Sequence, residues 1–539
     1  MQGLQPDAAT TRVWRCLRHL STSATFVYSM SAILKAPQHS PRTPQNPDPA
    51  NRLDNHAAPL TYQDTGPYRA LYEPLVNGIP TDQERAAAAD FLRDALRDTV
   101  FGVDDLPSSG AGLIEWMEGN MRAVHGKYQS YLQSRQSGAP RKYFVNRAHA
   151  LYFLRQVAPT KLVDGAWLYG LCAFADNPRL SDLVVTYLEE LGNGDADKNH
   201  VTLYRGLLAR YGLDPVDGLP DTHYEQGLIQ LALGWNAQEF LPEIVGFNLA
   251  YEQLPLHLLI TAYELNELGI DPYYFTLHVT VDNTDTGHAR RACQAAIDAA
   301  PRMDDGGEYW RRVRAGAKLG DLGVGSTDVI RGFNIDNEVV RIFAHKAPAG
   351  HGAHSDFCKV AGRKVNDWLA DSKDVPAFLA ALEQAGWIKK NQPATESRFW
   401  NLLQGDRAEM FGVFSPYELQ VIHDWIRGDA SADGASFEAT ATAPGTDAVT
   451  QVPRRPVSFR VAERLRLARS GGGPTSHSSP ASNEHQWLDT DLSLLHEQLP
   501  TLGPAEQRDL LLRAMSPALH WTPAGLVATK AFVERAYSA

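Results

Sequence analysis

The stretch "YYFTLHVTVDNTDTGHARRA", residues 273–292, decides how the chain is read. It follows Asp271-Pro272, an Asp suited to capping a helix and a Pro suited to its first position, so one helix is expected across it. At about 100° per residue, His278, Asp282, Asp285 and His288 fall within about 120° of arc. The same stripe continues with Ala289, Ala292 and Ala296, where a solvent face would carry Lys, Glu or Arg. The two acids and two imidazoles are therefore expected to point inward. Unpartnered buried carboxylates cost on the order of several kcal/mol. A divalent metal compensates, since imidazole plus carboxylate suits iron, manganese or zinc. A hydrogen-bonded polar network or a surface patch is the alternative, and this helix alone does not separate the three.

Metal sites in helix bundles draw ligands from several facing helices. In "NAQEFLPEIVGFNLAYEQL" (236–254), Glu243 shares a stripe with Phe247, Ala250 and Leu254, and Glu239 is a weaker second candidate. A lone acid on an apolar stripe is unusual, because Glu is rarely buried unpaired. In "DADKNHVTLYRGLLARYGL" (195–213), Asp195 or Asp197 can cap a helix on which His200 shares a face with Tyr204, Leu207 and Tyr211. Such a His is usually a satisfied core residue. This one, however, comes ten residues after an acidic pair. In "SDLVVTYLEELGNGD" (181–195), Glu190 borders the apolar face and Glu189 points to water. Gly192-Asn193-Gly194 ends that helix and turns the chain toward His200.

With these residues assembled, the chain resembles the heme-oxygenase-like diiron oxidases and oxygenases, a superfamily of iron-containing redox enzymes. The marks are "YLEELGNGDADKNHVTLY", "FLPEIVGFNLAYEQLPLHLLITAYELNELGIDPYYFTLHVTVDN" and "TGHA". The resemblance implies an all-α protein with a seven-helix, heme-oxygenase-like bundle core. It implies six metal ligands: Glu190, His200, Glu243, His278, Asp282 and His288. The family spacing H-x3-D-x2-H is split here, with H-x3-D met by His278 and Asp282 and D-x2-H by Asp285 and His288. Asp285 is thus the alternative to Asp282, and a π-bulge eased by Gly287 would reconcile the two. The resemblance also implies two Fe2+ ions with O2 as co-substrate, and a small organic metabolite as substrate: an amino acid, an amine or a fatty-acid-like molecule. An external electron donor is an expected partner. The rival readings are a non-catalytic helical scaffold with a buried polar network, and a single-metal hydrolase. Heme oxygenase activity itself would leave six metal-type ligands without a purpose.

The rest of the chain frames this core. It has 539 residues and a formal net charge of -12, an acidic balance that argues against nucleic-acid binding. No apolar run of about 18 residues is present, so no membrane span is expected. The four cysteines (Cys16, Cys172, Cys293 and Cys358) form no CxxC pair, which fits a reducing cytoplasm. Residues 1–58 read as a disordered segment. Their Arg- and Ser-containing start resembles a transit peptide, or else translation begins at Met30. A helical region is expected over 59–150, the diiron core over 151–300 and a helical extension over 301–428. The flanking regions would enlarge the pocket or form a homodimer interface. A Gly-, Ser- and Pro-rich flexible linker is expected over 429–485 and a small helical tail over 486–539. "AHKAPAGHGAHSDFCKVAGRKVNDWL" gathers His345, His351, His354, Asp356 and Cys358 in a glycine-containing loop, read as a lid, a second metal site or structure.

Overall fold

Local signals written in the sequence start several of the helices. Thr81 accepts the Glu84 N–H while the Glu84 carboxylate accepts the Thr81 N–H at 2.7 Å, a capping box that opens Asp82–Asp98. Ser415 and Glu418 do the same for Pro416–Arg427. Asp271 accepts the Tyr273 N–H at 3.0 Å where the helix Tyr273–Val281 begins, as expected from its position before Pro272. The cap of the His200 helix differs from expectation: Asn199, not Asp195 or Asp197, accepts the Thr202 N–H.

The computed structural model describes residues 66–99, 105–213, 218–281, 287–303, 306–405, 408–428 and 489–537. All of them belong to one unit, Tyr62–Thr446 together with Pro480–Ala539. We number the α-helices of nine residues or more. Before the core come α1 (Pro67–Asn77), α2 (Asp82–Asp98), α3 (Leu113–Gln136) and α4 (Arg147–Gln156). The core continues with α5 (Ser181–Glu190), α6 (His200–Tyr211), α7 (Glu225–Trp235), α8 (Leu241–Tyr251), α9 (Leu256–Glu267), α10 (Tyr273–Val281), α11 (His288–Ala299) and α12 (Gly307–Lys318). After it come α13 (Ile335–Gly350), α14 (Val375–Gln384), α15 (Pro416–Arg427), α16 (Thr490–Gln498), α17 (Pro504–Ala514) and α18 (Pro523–Tyr537). Among the described residues the only strands are the two-residue pair Lys359–Val360 and Arg363–Lys364. The protein is all-α. No described helix is long and apolar enough to cross a membrane.

The apolar residues separate into two cores. One gathers Leu168, Leu188, Leu233, Phe247 and Ala292, and extends to Met515 and Phe532 of the C-terminal helices. The other gathers Phe153, Tyr204, Leu265, Phe275, Val339 and Ile422. The seam between them runs through consecutive residues, since Leu162 belongs to the second core and Val163 to the first. Helices α8 and α12 cross at backbone contact. A Cβ on Gly246 would stand 1.8 Å from the Val313 carbonyl oxygen, and one on Gly316 would stand 2.1 Å from that of Glu243.

Residues 273–292 do not form one helix. Gly287 is extended (φ -81, ψ -179) and acts as the N-cap of α11, so His288 opens a new helix instead of continuing the stripe of His278. Asp282 and Asp285, with the bulge expected beside them, lie outside the described residues, as do the expected segment 1–58 and the linker 429–485. The His345 region is helical through Gly350 rather than a loop. Beyond it, Asn366 stitches the chain by accepting the N–H groups of Gly352 and His354.

Candidate metal centre

Six titratable side chains meet at the seam. Asp164, Glu190, His200 and His278 present ligand-type atoms within 4.8 Å of one another, and so do Glu190, Glu252 and His288. Glu190 belongs to both groups. Its Oε2 touches His200 Nδ1, while its Oε1 lies 3.4 Å from His288 Nδ1. His288 Nδ1 is also 3.1 Å from Glu252 Oε2, and His278 Nε2 is 3.1 Å from Asp164 Oδ2. All but His278 are buried, and His278 is half-buried. Asp164 sits in a turn that Gly165 (φ 81) presses against Glu190, where an added Cβ would come 2.9 Å from Glu190 Cβ.

The outer edges of the imidazoles are engaged. His278 Nδ1 lies 2.8 Å from the Tyr274 carbonyl, which can only accept, so that nitrogen carries the proton and Nε2 faces the group. His288 Nε2 lies 2.8 Å from Glu189 Oε2, which Arg291 also holds at 2.7 Å. Outer acceptors of this kind fix ring orientation and tautomer in metal-binding histidines. The Tyr274 hydroxyl donates to Asp164 Oδ2 and fixes that carboxylate as well.

Burial alone would raise the Glu190 carboxyl, but the His200 imidazole outweighs it and holds Glu190 at about 2. Burial would likewise lower His200, but Glu190 and Asp164 push it up to about 10. His288 is raised further, against burial, by Glu252, Glu189 and Glu190. Glu252 is itself raised, chiefly by burial. Without a metal, protons on the imidazoles do the work of cations among the carboxylates. His200 Nδ1 and Glu252 Oε1 nevertheless find no aligned hydrogen-bond partner although buried. The donor set of three carboxylates and three imidazoles suits divalent iron.

Of the residues singled out from sequence, Glu190, His200, His278 and His288 come together here. Glu243 does not join either group. It is buried, as its apolar stripe indicated, but Arg312 of α12 holds it through two hydrogen bonds of 2.6 Å. Glu239 pairs with Arg93 at 2.6 Å. Glu189 is not simply turned to water, because it bridges His288 and Arg291. Among the described residues no metal-type group includes His345, His351, His354, Asp356 or Cys358.

Asp164 and Glu252 escaped the sequence reading, and helix wheels could not have found them. Asp164 lies in a turn, and Glu252 is the C-cap of α8. The macrodipole offers a signal for the second. Glu190 is the last residue of α5 and Glu252 caps the C-terminus of α8, where carboxylates are disfavoured. His200 and His288 are the first residues of α6 and α11, where an imidazolium is disfavoured but a neutral imidazole is not. Charges placed against their helix dipoles are paid for only if something cationic lies between them.

Residues 151–321 match the model of a family described as iron-containing redox enzyme, which is consistent with a heme-oxygenase-like superfamily. All six residues of the centre fall inside the matched segment. No curated protein and no solved structure matches the chain. The match supports an iron-dependent oxidoreductase, and the carboxylate and imidazole cluster supplies residues able to hold the metal.

Proposed function

We propose that this iron-dependent oxidoreductase is a non-heme diiron oxidase or oxygenase that uses O2 to oxidise a small organic metabolite. The observation that carries the reading is the shared position of Glu190, whose two oxygens face the two halves of the cluster. Asp164, His200 and His278 would hold one iron, Glu252 and His288 the other, with Glu190 between them. Asp282 and Asp285 remain proposed contributors from the segment between α10 and α11. A bound iron pair supplies O2 reduction and substrate oxidation.

The chain's own residues set the conditions. Glu189 and the Tyr274 carbonyl keep protons on the outer nitrogens of His288 and His278, which leaves the inner nitrogens as lone-pair donors. Phe247 and Tyr251 stack at a centroid distance of 5.0 Å, Trp167 packs at a steep angle against both, and Tyr251 brings this aromatic surface within reach of the Asp164 and Glu190 charges. The substrate is an amino acid, an amine or a fatty-acid-like molecule, and an external donor supplies electrons where the reaction needs them.

An oxygen electrode tests the reading. Chain loaded anaerobically with Fe2+ should consume O2 in a burst that Glu190→Gln abolishes, and repeated consumption should require an added small-molecule fraction. A buried polar scaffold would retain no metal. A single-metal hydrolase would hold zinc and leave O2 untouched.

A further inference from the structure

The C-terminal helices lie directly behind the connection between Glu190 and His200. Tyr187, one turn before Glu190, donates its hydroxyl to the Met515 carbonyl at 2.7 Å. The turn Gly192–Gly194 packs on α18 so closely that a Cβ on Gly194 would stand 2.6 Å from the Leu526 carbonyl oxygen and 2.8 Å from Lys530 N. Thr202 donates to the Trp521 carbonyl at 3.3 Å, and the Arg205 guanidinium lies 3.6 Å from the centre of the Trp521 ring.

At the middle of this contact is Asn199, fully buried and next to His200. Its Oδ1 accepts the Thr202 N–H and caps α6. Its Nδ2 lies 3.3 Å from the Leu191 carbonyl, next to Glu190, and 3.2 Å and 3.3 Å from Nδ1 and the carbonyl of His520. One side chain therefore ties the end of the Glu190 helix, the start of the His200 helix and the C-terminal segment. Its amide can donate to His520 Nδ1 only if that nitrogen is an unprotonated acceptor.

We propose that residues 489–537 form a brace for the metal centre, with Asn199 and His520 as positioning residues that set the spacing of Glu190 and His200. This rests on the metal reading above. Neither residue belongs to either group of ligand-type side chains. The brace acts by holding two ligands through the turn that connects them, which Tyr273 also touches by donating its hydroxyl to the Asp197 carbonyl at 3.3 Å. Coupling is reciprocal, so metal that tightens the Glu190–His200 pair also tightens the docking of the brace.

The test uses the full chain and Fe2+ alone under anaerobic conditions. His520→Ala should weaken iron binding about tenfold, the low end of the cost of losing an outer partner of metal ligands, because His520 acts on them through Asn199. His520→Gln, whose side-chain oxygen can accept from Asn199, should recover part of the loss. Asn199→Ser keeps a cap but lacks the second donor, so it should behave like His520→Ala. In the wild type, Fe2+ should increase hydrogen-exchange protection of the amides at 515–530. That last measurement decides where a variant does not fold. If wild type binds iron, the variants bind it equally and exchange at 515–530 does not change, the brace is wrong and the metal reading stands. If wild type takes up no iron, both fall together.

Discussion

Glu243 and Glu252 stand at opposite ends of α8, and their partners differ in kind. Glu243 lies in the first turn, where the helix dipole favours an acid, and Arg312 neutralises it. Glu252 caps the other end against the dipole and faces His288. Glu243→Gln should leave iron content unchanged and lower stability by about 1–3 kcal/mol, because Arg312 is partly exposed and loses a charge-assisted pair. Glu252→Gln should reduce iron per chain while shifting the melting transition of the metal-free protein little. Metal analysis beside a denaturation curve separates the two, and the opposite pattern would return Glu243 to the site. Glu189 and Glu190 make a second such pair. Glu190→Gln should abolish stoichiometric iron binding. Glu189→Gln, which can still accept from His288, should weaken it about tenfold. Equal effects would mean that Glu189 is itself a ligand.

At the scale of elements, the crossing of α8 and α12 has no room for side chains at Gly246 and Gly316. Gly246→Ala should cost on the order of 1–3 kcal/mol through overpacking, read as a fall in the denaturation midpoint. A neutral result would mean that the helices separate freely there. Helix starts were legible in the sequence where a cap signal precedes an apolar stretch, as at Asp271 before α10. Four of the six clustered residues were singled out from sequence, Glu190 and His200 because a polar residue beside or on a packed face is visible on a wheel. The wheel failed where its premise failed. Residues 273–292 break at Gly287, so His278 and His288 reach the two halves of the cluster from separate helices and not through one helical phase. Asp164 and Glu252 come from a turn and a helix end, which have no periodicity to read. For Glu243 the wheel reported burial correctly, but burial does not name a partner, and Arg312 is 69 residues away in sequence.

For the whole molecule, protons and metal compete for one cluster between two cores. In metal-free protein His200 is raised from its usual 6.5 to about 10, so its stabilisation is complete below 6.5 and disappears as pH rises toward 10. Glu190 is lowered from 4.5 to about 2, so its contribution is present above 4.5 and disappears as pH falls toward 2. The metal-free pair should therefore stabilise the fold most between 4.5 and 6.5, which urea midpoints across pH would show. Iron must displace the imidazole protons, so binding should release protons and tighten as pH rises through neutrality. A dye titration in weak buffer would register that release, and pH-independent affinity with no proton release would argue against imidazole ligation.

The central claim is that one cluster holds an iron pair. Anaerobic loading of the full chain with ⁵⁷Fe2+, followed by metal analysis and Mössbauer spectroscopy before and after O2, tests it most directly. The account predicts about two irons per chain that oxidise together on exposure to O2. Retention of no iron, or of a single ion that O2 leaves ferrous, would contradict it.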